Sequence, residues 1–370
     1  MTPRRRLRRV VVKVGSGLIA DPATGPDPAR IEPLAAELAH VMAQGVEVAL
    51  VTSGAIAAGT ARLGLGGKPR SIPEKQAAAA VGQAALMWHY EQACATHGIR
   101  VAQVLLTQED VSHRERYLNA RNTLMTLLGF KVLPVINEND TVAVEEIKVG
   151  DNDNLAALVA ALIDADLLVL LSDIDGLYTG DPRHDPAAHR IARVTTITPE
   201  MEAQAGAGGP LGTGGMVTKL QAAQKAMAAG IPMVIADGRR PAVLRAVVRG
   251  EAEGTYFEPR TDRLAARKRW IAFALPVQGA IAVDAGARRA LVEHGRSLLP
   301  SGVLTVEGQF AAGDAVGVRD ADGREFARGI VSLDARELEL LRGAKTADIE
   351  RRLGYRVTHE VIHRDNLVIL

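Results

Sequence analysis

Short, wholly apolar runs alternate with alanine-rich amphipathic stretches over the first two thirds of the chain. Val10–Val14 reads as a strand. Pro33–Gln44 carries Leu34, Leu38 and Val41 at helical spacing and stops before Gly45, and Val46–Val51 is a second strand. Gln76–Tyr90 is predicted as a long helix, and Arg100–Leu106, Arg121–Leu128 and Lys131–Ile136 as strand, helix and strand. Leu155–Ile163 (helix), Leu167–Leu171 (strand), Lys219–Ala229 (helix) and Met233–Ile235 (strand) continue the series. Runs of Val, Leu and Ile without strict alternation belong to strands buried on both faces. Their alternation with helices predicts an α/β fold: a three-layer αβα sandwich around a mainly parallel sheet.

After Phe257 the pattern changes. Arg260–Arg269 is charged and aperiodic, as a linker would be. Beyond it come Ile281–Val283, a helix at Ala287–His294, and strands at Val303–Val306, Ala315–Val318 and Phe326–Val331. The turn pairs Glu307-Gly308, Gly313-Asp314 and Asp322-Gly323 punctuate them. We therefore expect a large domain over residues 1–258, a linker at 259–276, a small β-rich domain at 277–355 and a C-terminal segment at 356–370. A length of 370 residues suits two domains.

Composition narrows the function classes. With 44 Lys and Arg against 43 Asp and Glu, no global field recruits nucleic acid or an anionic membrane. One cysteine, Cys94, excludes an internal disulfide and disfavours a Cys-based zinc site. His89, His97, His113 and the other histidines lack metal-ligand spacing. Arg4, Arg5, Arg6, Arg8 and Arg9 precede an apolar run that Lys13 interrupts, so a frayed, solvated tail is expected rather than a cleavable signal. No stretch of 18 apolar residues occurs, and a cytoplasmic protein is expected.

Four polar segments follow predicted strands, where ligands gather in open α/β sheets. The first, Lys13-Val14-Gly15-Ser16-Gly17, is either a phosphate-approaching loop with a point charge or an ordinary glycine turn. Thr52-Ser53-Gly54-Ala55 offers an anion-binding helix start or a plain Ser N-cap. Asn137-Glu138-Asn139-Asp140 and Gly150-Asp151-Asn152-Asp153-Asn154 together suit a small zwitterion, although one aspartate of the second run suits a helix cap. Ser172-Asp173-Ile174-Asp175-Gly176 and Leu211–Lys219 form the last pair. The glycine loop of that pair offers backbone donors, hydroxyls and a cation to a terminal phosphate, or serves as a surface lid.

Taken in order, KVGSG (13–17), VTSGAIAAG (51–59), VINEND (135–140), IKVGDNDN (147–154), SDIDGLYTGDPR (172–183) and LGTGGMVTK (211–219) resemble the glutamate 5-kinases of the amino acid kinase superfamily. KRWIAF, SLLPSGV and a Gly-Asp turn resemble the PUA domain appended to many members. Gly17, where the family commonly has a larger residue, and the arginine leader depart from the pattern. The resemblance implies ATP-dependent phosphorylation of the γ-carboxylate of L-glutamate, the first step of proline biosynthesis. It implies that Lys13, Lys219 and Asp153 are catalytic, Asp153 orienting both lysines. Ser53, Gly54, Asn137, Asp140 and Asn152 would bind glutamate. Lys13, Gly15, Ser172, Asp173, Thr213, Gly214, Gly215, Met216, Val217, Thr218 and Lys219 would line the ATP site. Mg²⁺ would bridge phosphates, held by water and substrate rather than by protein ligands. The family also implies a homotetramer, feedback inhibition by proline, and handover of product to glutamate-5-semialdehyde dehydrogenase.

Two other readings stay open at the level of residues. The polar cluster specifies a small zwitterion better than it specifies glutamate, so aspartate, acetylglutamate or carbamate are alternative acceptors. An RNA-binding role through the second domain is disfavoured: residues 268–370 hold 15 Lys and Arg against 14 Asp and Glu, with few aromatic side chains for stacking.

Overall fold

The structure, a computed structural model, describes residues 7–21, 24–65, 67, 69–107, 109–110, 114–142, 152–182, 184–206, 215–251, 253–259, 277–345, 348–354 and 360–370. The expected linker, apart from residue 259, and the residues Arg4, Arg5, Arg6, Asp151, Thr213 and Gly214 lie outside them. The chain divides into two compact units, Met1–Arg260 and Thr261–Leu370.

In the first unit the strands are β1 (Arg9–Val14), a short hairpin β2 (Ala20–Asp21) and β3 (Gly25–Pro26), β4 (Glu47–Val51), β5 (Val101–Leu106), β6 (Leu133–Glu138), β7 (Leu167–Ser172), β8 (Arg193–Val194), β9 (Met233–Asp237) and β10 (Thr255–Phe257). The helices are α1 (Pro28–Ala43), α2 (Ala55–Arg62), α3 (Ile72–Ala95), α4 (Arg114–Gly129), α5 (Asn152–Leu162), α6 (Pro199–Gly206), α7 (Met216–Ala228) and α8 (Val243–Val248). Eight strands form one sheet in the order β5-β6-β4-β1-β7-β9-β10-β8. Every neighbouring pair is parallel except β9 with β10.

Strand alternation divides the core in two. Val11, Ala49, Val51, Leu168 and Leu170 face a layer containing Leu124 of α4, Leu155 and Val159 of α5, and Leu220 and Ala223 of α7. Val10, Val12, Val48, Leu50 and Val169 face the other layer, with Ile31 and Leu38 of α1, Leu86 and Tyr90 of α3, and Leu244 of α8. Both sheet faces are therefore dry, which is why these strands read as unbroken apolar runs. The period of two also decides where Lys13 goes. It shares parity with Val11, so its side chain rises on the α5–α7 side of the sheet.

Several elements begin earlier than the apolar periodicity alone indicates. Asp27 caps α1 by accepting from Ala29 N at 3.0 Å, with Pro28 in the first turn, so the helix starts five residues before Pro33. Ser71 and Glu74 form a capping box that starts α3 at Ile72. Arg9 departs from the expected solvated tail: it is buried in β1, its Nε donating to Glu47 Oε2 at 2.8 Å.

Helices α2 and α3 cross with almost no space between them. A Cβ on Gly59 would lie 1.7 Å from the Ala78 carbonyl oxygen, and one on Gly82 would lie 1.8 Å from that of Ala55. Two glycines thus let the backbones touch.

The second unit is a mixed five-stranded sheet, ordered β12 (Val303–Gly308), β11 (Val277–Val283), β13 (Ala315–Arg319), β14 (Glu325–Ile330) and β15 (Leu367–Ile369). Only β11 and β13 run parallel. Helices α9 (Ala285–Val292), α10 (Ala335–Leu341) and α11 (Ile349–Leu353) accompany it. Ile281, Val283, Val316, Val318, Phe310 and Leu338 form its separate core.

Candidate active site

Polar side chains that are rare in a protein interior converge at the carboxyl ends of β1, β4, β6 and β7. Lys13 sits one residue from the end of β1, Asp153 in the first turn of α5 and Lys219 in the first turn of α7. Lys13 Nζ lies 2.5 Å from Asp153 Oδ1, and Lys219 Nζ 3.2 Å from Asp153 Oδ2. Both lysines are 7% exposed and Asp153 is 1% exposed. Burial alone would raise the Asp153 carboxyl, but the two ammonium groups and the Thr218 hydroxyl outweigh it and hold the group below the usual carboxylate range. Thr218 Oγ1 lies 2.9 Å from Asp153 Oδ2 and 2.9 Å from the Gly215 carbonyl oxygen. Asp153 thus bridges two cations.

Two ammonium groups thus stand on one buried carboxylate, where an incoming anion with several oxygens would meet both. The start of α7 adds to the same field: its N-cap, Gly215, is exposed and has no side chain to satisfy the first helical N–H groups. Met216 is half-buried and Val217 exposed, so the α7 start turns an apolar edge outward.

A second cluster adjoins through Asn152, the neighbour of Asp153. Asn152 Nδ2 donates to Ser53 Oγ at 2.9 Å and to Asn137 Oδ1 at 3.1 Å. Asn137 Nδ2 in turn donates to Gln83 Oε1 at 2.8 Å. Ser53 is not the N-cap of α2. Gly54 takes that place, at φ 101°, a left-handed conformation suited to glycine. The Ser53 hydroxyl is thereby free to face Asn152. Asp140 stands just beyond β6, half-buried, with no side-chain hydrogen bond to another described residue. Burial, reinforced by the negative charge of Glu138, pushes its carboxyl up to about 7.

Elsewhere, Ser172 ends β7 buried, its Oγ donating to Asp173 Oδ1 at 3.1 Å. Asp173 is exposed, and its carbonyl accepts from Arg239 Nη2 at 2.7 Å. Gly15 N–H is already directed at the Leu171 carbonyl, at 3.3 Å. Its value to a ligand is the open space beside it, where a Cβ would meet only that same oxygen, at 3.9 Å. Lys13, Asp153, Thr218 and Lys219 thus meet directly, as do Ser53, Asn137 and Asn152. Gln83 escaped sequence reasoning altogether. The signal it left was an amide directly beside the one glycine of an alanine-rich helix.

Residues 8–237 match the Amino acid kinase family and residues 279–353 the PUA domain. A glutamate 5-kinase from Myxococcus xanthus (strain DK1622) is 54% identical over 370 residues, covering 100% of this chain and 98% of the relative. One from Geobacter sp. (strain M21) is 52% identical over 367 residues, covering 99% and 98%. Among solved structures, the UMP kinase of Bacillus anthracis aligns with 70% of this chain and 98% of its own, at 16% identity and a TM-score of 0.48. With a parallel-sheet kinase fold, a PUA domain after it and full-length relatives sharing half its residues, the chain belongs to the amino acid kinase family, in its glutamate 5-kinase branch.

Proposed function

We propose that the chain transfers the terminal phosphoryl group of ATP to the side-chain carboxylate of L-glutamate, giving L-glutamyl 5-phosphate and ADP, the first step from glutamate to proline. The observation that carries this reading is the buried Lys13–Asp153–Lys219 triad, which sets two ammonium groups beside one carboxylate, where both can reach the oxygens of a transferring phosphoryl group. A carboxylate nucleophile with a reference pKa near 4.3 is already ionised at neutral pH, so no general base is needed. One of its oxygens bonds to phosphorus as the bond to the β-phosphate bridging oxygen breaks, and ADP leaves with that electron pair. What the protein supplies is alignment and neutralisation of charge. Lys13 and Lys219 hold the phosphoryl oxygens from two sides, and Asp153 fixes both ammonium groups. Ser53, Gly54, Asn137, Asp140 and Asn152 bind the amino acid, with Asp140 facing its ammonium. Ser172, Asp173 and residues 213–219 bind the nucleotide.

Among the described residues, no three His, Cys, Asp or Glu side chains group as a metal cage. On this reading Mg²⁺ would be carried by phosphates and water, where it would neutralise phosphate charge. No helix among the described residues is long and apolar enough to cross a membrane. On the same reading the protein is a cytoplasmic homotetramer, restrained by proline at the glutamate site, that hands its labile product to glutamate-5-semialdehyde dehydrogenase. The domain boundaries in this proposal are 1–258, 259–276, 277–355 and 356–370.

The test is a panel of acceptors with ATP and Mg²⁺, trapping acyl phosphate with hydroxylamine. Glutamate is expected to give the fastest hydroxamate formation. A faster rate with aspartate, acetylglutamate or carbamate would replace the acceptor, and no rate with any of them would refute the reaction class.

A further inference from the structure

Three carboxamides in a row, Gln83, Asn137 and Asn152, have their orientations fixed by one backbone group. The N–H of Glu138 donates to Asn137 Oδ1 at 2.9 Å. A backbone N–H can only donate, so the Asn137 atom facing it is oxygen. Asn137 Nδ2 must then face Gln83, which has to present its oxygen, as it does at 2.8 Å. On the other side, Asn137 Oδ1 requires a donor from Asn152, and Nδ2 supplies it at 3.1 Å. The same Nδ2 reaches Ser53 Oγ at 2.9 Å. Asn152 Oδ1 is left as a buried acceptor with no hydrogen-bond partner among the described residues. A buried acceptor kept open in this way suits a donor brought by a ligand, such as the ammonium of an amino acid.

Gln83 is 7% exposed and lies in the middle of α3, not on any of the loops that the sequence motifs mark. Its depth follows from its neighbour. Gly82 meets the α2 backbone so closely that any side chain there would collide with Ala55 O and Gly59 N, which draws this turn of α3 in against the helix that Gly54 begins. A long amide at that spot in an alanine-rich helix loses solvent and gains one identified contact, the Asn137 amide.

We propose that Gln83 is a positioning residue of the acceptor subsite: by accepting from Asn137 it locks the Asn137–Asn152–Ser53 chain in the sense that presents Asn152 Oδ1 to the amino-acid substrate. This rests on the glutamate kinase reading. Without the Gln83 oxygen, Asn137 Nδ2 loses its acceptor, and the Glu138 N–H alone is left to hold the amide against Asn152.

The experiment is a double-mutant cycle in the full-length protein with Gln83→Met and Asn137→Ala, measuring kcat and the KM of glutamate and of ATP by hydroxamate formation. Met keeps the length and the helix preference but removes the accepting oxygen. Gln83→Met is expected to raise glutamate KM about tenfold, the effect of one lost neutral hydrogen bond, with kcat within about threefold and ATP KM unchanged. The double variant is expected to match Asn137→Ala alone, because Gln83 acts through Asn137. An unchanged glutamate KM, effects that multiply, or both KM values rising together with a lowered melting temperature would overturn the proposal. Should Gln83→Met not fold, Gln83→Glu decides. It retains an oxygen facing Asn137 and is expected to keep glutamate KM within about threefold of wild type at acid pH, where a buried carboxyl is neutral. A tenfold loss there would overturn the proposal. Wild-type protein inactive on glutamate would refute the kinase reading itself, a result distinct from any of these.

Discussion

Asp153→Asn removes one charge and almost no volume from the centre of the site. Asp153 neutralises two ammonium groups at 2.5 and 3.2 Å, all three side chains being nearly inaccessible. At an effective dielectric constant near 20, a unit pair about 4 Å apart is worth about 4 kcal/mol. Breaking a buried pair by deleting one partner typically costs about 3–5 kcal/mol, because the remaining ion stays desolvated. Here two cations are left facing each other, so the upper half of that range is expected. For a unit of this size, at about 2–4 °C per kcal/mol, the loss corresponds to a fall of about 8–20 °C in melting temperature. An asparagine still takes a hydrogen bond from Thr218, so the local geometry is not expected to collapse. The distinguishing readout is a rescue: inorganic tripolyphosphate should stabilise the variant more than wild type, since it supplies the missing negative charge. Thermal melts with and without tripolyphosphate measure both effects, and hydroxamate formation should show kcat lowered by at least about 10²-fold. A variant with a melting temperature within about 1 °C of wild type and an unchanged kcat would refute the idea that this carboxylate organises the two lysines.

Three further outcomes follow from other parts of the structure. Because burial pushes Asp140 up to about 7, glutamate KM should fall as pH rises from 6 to 8, and Asp140→Asn should leave it high and flat. The stability sign is opposite. Between about pH 4 and 7 the folded carboxyl keeps a proton that the unfolded one releases, so Asp140 costs stability as pH rises, and Asp140→Asn should raise the melting temperature above pH 7 but not at pH 3.5. Gly82→Ala places a Cβ 1.8 Å from the Ala55 carbonyl oxygen and should cost at least about 1–3 kcal/mol in urea unfolding; an unchanged midpoint would deny the tight α2–α3 crossing. Cys94 is fully buried and its thiol pushed up to about 11, so a disulfide reagent at pH 8 should label it only after unfolding.

The central strands of the large sheet, β1, β4, β6, β7 and β9, are legible because both of their faces are dry, and a strand buried twice cannot hide in a polar pattern. Their loops were legible because glycine, amides and carboxylates are out of place after such runs. The start of α3 was not, since Ile72-Pro73-Glu74-Lys75 has no apolar period and only the Ser71–Glu74 capping box makes it helical. Strands β8 and β10 escaped because two or three residues at a sheet edge carry too little alternation to register. Gln83 escaped for a deeper reason. A polar residue in an alanine-rich helix reads as solvent-facing, and only the backbone contact of Gly59 and Gly82 with the opposing helix turns that face inward. Likewise the positions of Lys13, Asp153 and Lys219 in sequence say nothing of their separation. The parity of Lys13 on β1 and the packing of α5 against α7 on that face bring them together.

The most direct measurement is the position of a bound nucleotide. In a crystal structure with glutamate and a non-hydrolysable ATP analogue, both Lys13 Nζ and Lys219 Nζ should lie within about 3.2 Å of terminal-phosphate oxygens, on opposite sides of the phosphorus. A terminal phosphate beyond the reach of either ammonium group, with the glutamate carboxylate in line from elsewhere, would contradict the account.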